Sequence, residues 1–138
     1  ASIKYEWSED PYRAIWSKFT FIAPFGLVCA VNNKSIGEVM ESGELSSTVK
    51  DIMREITAIA SRKGINLPAS IVEDSFSAGA NFPYETKTSF QRDFENMEKP
   101  DERDLFGGSI IRFGREQGVP TPVTESVYKE IFRMKPER

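Results

Sequence analysis

The chain has 138 residues, of which 39% are apolar and 28% charged, and this composition is typical of a globular domain with a single substantial core. Its formal net charge of −3 provides no overall basic field, which argues against nucleic acid or an anionic membrane as a partner. The absence of histidine excludes Ser-His-Asp and Cys-His nucleophilic catalysis and histidine-containing zinc sites, and no metal site is expected. Any proton transfer must therefore use Lys, Glu, Asp or Tyr.

The chain begins with Ala1 and a short extended-looking stretch, SIKYEW, for which the sequence offers no partner strand. We expect residues 1–9 to be the remnant of an interdomain segment of a longer protein and residues 10–138 to form one helical domain. The single cysteine, Cys29, excludes an internal disulfide and fits a reducing, cytoplasmic location. The longest apolar run, 21–31, is interrupted by proline and glycine and is shorter than a membrane span, so no membrane segment is expected.

The first two helices carry clear boundary signals. Glu9 or Asp10 opens a long helix that Pro24 should kink, because proline removes a backbone donor and clashes with the preceding turn. Ser35-Ile-Gly-Glu38 has the pattern of a capping box, in which the two side chains bond to each other's backbone amides. This box predicts the start of a short second helix.

The third predicted helix is the most clearly amphipathic. It begins at Ser46 or Ser47 and stops at Gly64, because glycine readily adopts the left-handed conformation that ends a helix. Its buried face is predicted to consist of Val49, Ile52, Met53, Ile56, Ile59 and Ala60. Pro68 or a second capping box at residues 70–73 then begins a fourth helix.

Three further helices complete the predicted bundle. Thr88-Ser-Phe-Gln91 is another capping box, and residues 101–117 form a sixth helix that Gly118 ends. Thr121-Pro122 pairs an N-cap with a first-turn proline at the start of the last helix. Because nothing after residue 8 alternates as a strand would, the predicted fold class is all-α, a compact bundle of about seven helices.

One lysine in the first predicted helix stands out. The polar stripe of that helix consists of Asp10, Arg13, Ser17 and Thr20. Lys18 lies a quarter turn or more away from the stripe, in the apolar sector of Ile22, Phe25 and Cys29. Its ammonium either reaches water beyond an apolar surface, or it lies in a partly dry cleft where a lowered pKa suits proton transfer or anion binding.

Five motifs carry a resemblance to a known family. They are, in order, I-W-x-K-F, I-G-E, R-E-x-x-A-I-A-x-x-x-G-I, T-S-F-Q-R-D and E-x-D-x-x-x-G-x-I-I-R-x-G-x-x-x-G-V-x-T-P. From Asp10 to Ile131 the chain resembles the C-terminal domain of ketopantoate reductase (2-dehydropantoate 2-reductase). The resemblance implies an all-α bundle of the 6-phosphogluconate dehydrogenase C-terminal-domain-like type.

The resemblance also implies an activity. It is the NADPH-dependent reduction of ketopantoate to pantoate, in the synthesis of pantothenate and coenzyme A. In this family an N-terminal Rossmann domain binds NADPH, and the helical domain closes over it to hold the 2-oxo acid. The sequence contains no G-x-G-x-x-G fingerprint, so the chain by itself is expected to be inactive.

The resemblance places three residues in the site. Lys18 matches the catalytic lysine, which bonds the substrate carbonyl and supplies the proton as hydride arrives. Glu102 matches an acid that orients substrate and lysine, although an acid in a first helical turn would also stabilise the helix dipole. Ser89 matches a serine that binds the substrate carboxylate, and Thr88 or Ser89 would also cap a helix.

The chain departs from the family pattern after the lysine. Well-characterised members carry asparagines one and two turns further on, where this sequence has Ile22 and Gly26. An apolar wall at Ile22 and Phe25 leaves open a related reductase for another small 2-oxo acid. A third alternative is a non-catalytic helical interaction domain in which Lys18 only reaches water.

The expected partners follow from the same resemblance. They are a small 2-oxo acid, the chain's own Rossmann domain and a second copy in a homodimer. We expect apolar surface to be exposed where the Rossmann domain would sit, and self-association when that domain is missing.

Overall fold

The computed structural model of the chain describes residues 11–87 and 107–134. Within these ranges all regular structure is helical, which confirms the all-α prediction. The elements are α1 (Pro11–Asn32), α2 (Ile36–Glu41), α3 (Gly43–Arg62), α4 (Ile71–Ala78), a 3₁₀ turn (Gly79–Asn81), α5 (Ser109–Gln117) and α6 (Pro122–Met134). The predicted segment 1–9, the capping box at 88–91 and the first part of the predicted sixth helix lie outside the described residues.

Helix α1 passes from the surface into the interior of the bundle. Every residue from 23 to 30 is buried, and the helix packs against α2, α3, α4 and α6. Pro24 lies inside the helix without ending it. By length and composition Tyr12–Asn32 could also cross a bilayer, but 56% of its most apolar window is buried inside the bundle, as in a core helix.

Helix α3 buries the face that the sequence predicts. Its six predicted core residues are all at most 1% exposed, and Gly64 follows the helix with a φ of +82°. The predicted start is wrong, because α3 begins at Gly43, three residues before Ser46. The hydroxyl of Ser42 accepts a hydrogen bond from the Leu45 amide at 3.1 Å, so this serine caps the helix and glycine occupies its first position.

The capping box of α2 is confirmed. The Ser35 amide donates to the Glu38 carboxylate at 2.8 Å, and the Glu38 amide donates to the Ser35 hydroxyl at 3.3 Å. The bond from the Ser35 amide is the main reason that the pKa of Glu38 is lowered. The box at 70–73 does not form, because the Ser70 hydroxyl donates to the Asp74 carboxylate at 2.7 Å instead of capping α4.

The segment after the 3₁₀ turn is fastened to the start of α2. The Ile36 and Gly37 amides donate to the carbonyls of Thr86 and Tyr84, at 2.9 and 3.0 Å. The Tyr84 ring lies so close to Gly37 that a Cβ there would be 2.2 Å from its Cδ1 atom. The Tyr84 hydroxyl donates to the Glu41 carboxylate at 2.9 Å, and this bond raises the pKa of Tyr84. The chain is thus fixed in place up to Thr86.

The start of α6 is capped by a residue distant in sequence. The Glu55 carboxylate on α3 accepts from the Val123 and Thr124 amides, at 2.9 and 3.0 Å, and from the Thr124 hydroxyl at 2.6 Å. Pro122 is the first helical residue, as predicted. The predicted capping bond from Thr121 is replaced, because its hydroxyl donates to the Glu125 carboxylate at 3.2 Å. One carboxylate therefore joins α3 to α6.

Replacing Glu55 should weaken the bundle. Glu55→Ala leaves two amides and a hydroxyl at the start of α6 without their acceptor, and bonds to a charged group contribute about 1.5–3 kcal/mol each. We expect the free energy of unfolding in urea to fall by at least about 2 kcal/mol, and by less in Glu55→Gln, which keeps one carbonyl oxygen. Glu73→Ala is the control, since its ion pair with Lys50 lies at the surface. Equal losses in Glu55→Ala and the control would show that the carboxylate does not hold α6.

Candidate functional site

Lys18 lies on the half of α1 that projects from the core. Its side chain is exposed, and it forms no hydrogen bond or ion pair with the residues that the structure describes. Ile15, one turn earlier on the same face, is 61% exposed, and Tyr12 is 66% exposed. Ile22, one turn later, is half-buried. The described residues therefore leave the ammonium in water, and a dry cleft would need a further surface over this face.

The polar stripe predicted for α1 does not face solvent along its whole length. Arg13 is exposed and Ser17 half-buried, but Thr20 is fully buried. The Thr20 hydroxyl donates to the Trp16 carbonyl one turn earlier at 2.7 Å, which satisfies it inside the core. The position predicted for Thr20 from its polarity alone is therefore wrong.

An apolar groove of about 220 Å³ lies between α1 and α5. It is lined by Ile15, Trp16, Phe19, Ser109 and Phe113. Lys18 is next to it on α1, since the lining includes Phe19, which follows Lys18 in sequence, and Ile15, one turn earlier. The Trp16 ring meets Phe19 edge-on at 5.8 Å and Phe113 at 5.7 Å between ring centroids, so the walls pack against each other. Motif spacing and helical periodicity do not predict this groove. The sequence features that could have indicated it are the aromatic residues of I-W-x-K-F and the phenylalanine after I-I-R, which the fold brings together.

The two residues that depart from the family pattern differ in burial. Ile22 is half-buried one turn after Lys18, whereas Gly26 is buried. Phe25 is 1% exposed and stacks on Phe76 with a centroid distance of 5.6 Å. The expectation that Phe25 forms part of a site wall is therefore wrong, because its ring belongs to the core. Ile22 remains the apolar side chain next to the lysine.

Two of the predicted site residues are not described. The structure covers the chain up to Lys87 and resumes at Gly107, so Ser89 and Glu102 lie outside the described residues. Their roles, and their convergence with Lys18, stay predictions. Over the residues that are described, no three His, Cys, Asp or Glu side chains come together as metal ligands.

Cys29 is not available for chemistry. It is 0% exposed, and burial, assisted by the charge of Glu38, raises its pKa to about 12. A thiol in this state is neither a nucleophile nor a metal ligand, because both roles require the thiolate. Lys18 and the groove therefore remain as the candidate site.

Comparison with known proteins gives this geometry a context. The family described as "Ketopantoate reductase PanE/ApbA C terminal" matches residues 10–134. The 2-dehydropantoate 2-reductase of Vibrio cholerae is 22% identical over 125 residues, which are 91% of this chain and 42% of that protein. The chain thus spans about two fifths of the length of such curated relatives.

Solved structures show the same fold. The 2-dehydropantoate 2-reductase from Methylococcus capsulatus superposes with a TM-score of 0.80 at 30% identity, covering 91% of this chain and 39% of that one. D-mandelate dehydrogenase, solved with NADH, superposes with a TM-score of 0.81 at 18% identity, covering 93% and 52%. In each case the similarity involves only part of the larger protein.

Burial of Cys29 predicts its reactivity. In the folded chain at mildly alkaline pH, an aromatic disulfide reagent should leave the thiol unmodified, because it is buried and almost entirely protonated. In concentrated urea the same thiol should react to completion. Release of the coloured thiolate product measures the extent of modification with and without urea. Rapid and complete reaction without denaturant would contradict the placement of Cys29 in the core.

Proposed function

The chain belongs to the family of ketopantoate reductase C-terminal domains, and on that premise we propose that it is the substrate-binding part of an NADPH-dependent 2-oxo acid reductase. We propose ketopantoate as the substrate and the cytoplasm as the location. The observation that carries the proposal is that Lys18, which the resemblance matches to the family's catalytic lysine, is exposed on α1 close to an apolar groove.

Lys18 supplies the proton in this proposal. A nicotinamide cofactor, when bound, supplies the hydride that reaches the carbonyl carbon of the 2-oxo acid. The ammonium of Lys18 donates a hydrogen bond to the carbonyl oxygen and transfers a proton as negative charge develops there. Among the described residues, no ion pair holds the Lys18 ammonium away from a substrate. Covering the face with a second domain would exclude water and strengthen this interaction.

The cofactor's phosphates require another part of the protein. The described residues contain no strand, and the sequence contains no glycine-rich fingerprint for a pyrophosphate. This chain therefore fits only the reacting end of the complex, where Lys18 and the groove lie. The structural neighbour that binds NADH supports a nicotinamide cofactor, and the family resemblance favours NADPH.

Ser89 and Glu102 complete the proposed site. The resemblance assigns Ser89 to the substrate carboxylate and Glu102 to the orientation of the substrate and Lys18. The exposed apolar side chains Tyr12 and Ile15 would contact the nucleotide-binding domain, since they share the projecting half of α1 with the lysine.

A second candidate substrate follows from Ile22. A half-buried isoleucine one turn after Lys18 cannot donate the hydrogen bond that the family's asparagine gives to substrate. An apolar side chain at this position would contact the hydrocarbon part of a 2-oxo acid instead. A bulkier and more apolar 2-oxo acid is therefore the alternative to ketopantoate.

Removal of the Lys18 ammonium should slow turnover strongly. In a full-length reductase that contains this chain, we expect Lys18→Ala to lower kcat for ketopantoate by at least about 100-fold, the usual contribution of a positioned proton donor. Oxidation of NADPH, followed by its absorbance, measures the loss, and Lys34→Ala is a control at another exposed lysine. Activity confined to another 2-oxo acid would favour the second substrate. If no 2-oxo acid is reduced in a Lys18-dependent reaction, the remaining interpretation is a non-catalytic helical interaction domain.

The uncovered apolar face should make the isolated chain self-associate. We expect its mass by light scattering to rise with concentration, since Tyr12 and Ile15 lie exposed beside the groove. Ile15→Asp should suppress the rise, because a carboxylate on this face opposes burial. Ala58→Asp places the same charge on the exposed side of α3 and should leave association unchanged. A mass that stays monomeric at high concentration would contradict the role of this face.

A further inference from the structure

A second pocket, of about 320 Å³, opens between α5 and α6, and none of the described residues lines both this pocket and the groove beside Lys18. Its principal lining side chains are Ile111, Arg112, Arg115, Glu125, Tyr128 and Lys129. The family resemblance assigns none of these residues to substrate or cofactor. The pocket therefore requires an explanation independent of the proposed reductase activity.

The pocket is positively charged within a chain of net charge −3. Among the described residues, three cationic side chains and one carboxylate line it, and Arg112 already donates a hydrogen bond to the Ser109 hydroxyl at 3.2 Å. Arg112 and Arg115 lie one turn apart on α5, and Lys129 comes from α6. Arg115 and Lys129 form no hydrogen bond or ion pair with the residues that the structure describes. Their charge is therefore available to a ligand.

Among the described lining residues Glu125 is the one carboxylate, and it forms no ion pair with Arg115 or Lys129. Glu125 accepts a hydrogen bond from the Thr121 hydroxyl at 3.2 Å, within its own helix. Arg133, further along α6, forms its ion pair with Glu130 and lies outside this pocket. The positive charge is thus concentrated at the junction of α5 and α6.

Packing fixes the walls of this pocket. The Tyr128 ring lies against Gly107, where a Cβ would be 2.3 Å from the Cδ1 atom of the ring. The ring therefore occupies space that the side chain of any other residue at position 107 would need. Ile111 is 8% exposed and contributes an apolar floor. The start of α6 is held by the Glu55 carboxylate. The cations therefore stand on elements whose separation is already set before a ligand arrives.

We propose that this pocket binds a phosphate group. Guanidinium groups bind phosphate oxygens through paired N–H donors, and an ammonium on the opposite wall adds a third source of positive charge. The volume lies at the lower end of the range for small-molecule sites, about 300–1,000 Å³, which fits a phosphate with a small organic part. The ligand is either inorganic phosphate or a small phosphate monoester whose carbon atoms contact Ile111.

A titration of the chain with inorganic phosphate tests the site. Backbone amide chemical shifts are followed at constant ionic strength, with chloride replaced by phosphate, so that general screening does not contribute. We expect saturable shifts confined to α5 and α6. Arg115→Ala should weaken binding by at least about tenfold, since a charge-assisted bond is lost. Lys129→Ala should weaken it as well.

Arg54→Ala is the matched control. Arg54 is an exposed arginine on α3 whose ion pair with Asp51, at 2.8 Å, lies outside the pocket, so its removal should leave phosphate binding unchanged. A second titration with phenyl phosphate separates the two ligands. Tighter binding of the ester indicates a phosphorylated metabolite, and equal binding indicates inorganic phosphate.

Three results would overturn the proposal. They are the absence of saturable shifts with both probes, equal weakening in Arg54→Ala and Arg115→Ala, or shifts that acetate reproduces at the same concentration. Arg115 and Lys129 are exposed, so the variants should fold, and their unchanged amide spectra without ligand verify this. Loss of reductase activity in Lys18→Ala has no bearing on this outcome, because none of the described residues lines both sites.

Discussion

Helix α3 is the element on which the rest of the described structure depends. It packs against each of the other five described α-helices, and its apolar face is buried from Val49 to Ala60. The same helix carries Glu55, whose carboxylate accepts three hydrogen bonds from the start of α6. One side of α3 stabilises the bundle by burying apolar surface, a contribution that has no preferred direction. Another side accepts directional hydrogen bonds that fix where α6 begins. Moving α3 would displace both sides of the pocket between α5 and α6.

Burial in the second half of α1 has a consequence for the first half. Residues 23–30 are held inside the bundle, so the preceding turns must project from it in a fixed direction. That projection exposes Lys18 and Ile15 and places Trp16 against Phe113 of α5. A lysine on a rigid helix, next to an apolar surface, can meet a substrate without reorganisation of the backbone. The core therefore positions the candidate site even though the lysine itself lies outside it.

Sequence reasoning succeeded where local patterns decide the structure. The buried face of α3 follows from its periodicity, and the capping box at Ser35 follows from side chains three residues apart. It failed where the deciding partner is distant or unexpected. Glu55 lies 68 positions before the amide of Val123, so no local pattern reveals that it replaces Thr121 at the start of α6.

The site was only partly accessible from sequence for the same reason. Periodicity shows that Lys18 leaves the polar stripe, but its proposed role rests on the resemblance to the family motifs. The polarity of Thr20 wrongly predicts a solvent-facing position, because a hydroxyl can donate to a carbonyl of the preceding turn and then be buried like an apolar group. The groove beside Lys18 requires α1 and α5 to come together, and the sequence alone does not place these helices side by side.

A crystal structure of a full-length reductase containing this chain, with oxidised cofactor and pantoate bound, would show whether Lys18 contacts the reacting oxygen. We expect the Lys18 ammonium about 3 Å from the hydroxyl oxygen of pantoate, in a cleft closed by the nucleotide-binding domain. A Lys18 side chain that remains in solvent while another group contacts that hydroxyl would contradict the proposed role of Lys18.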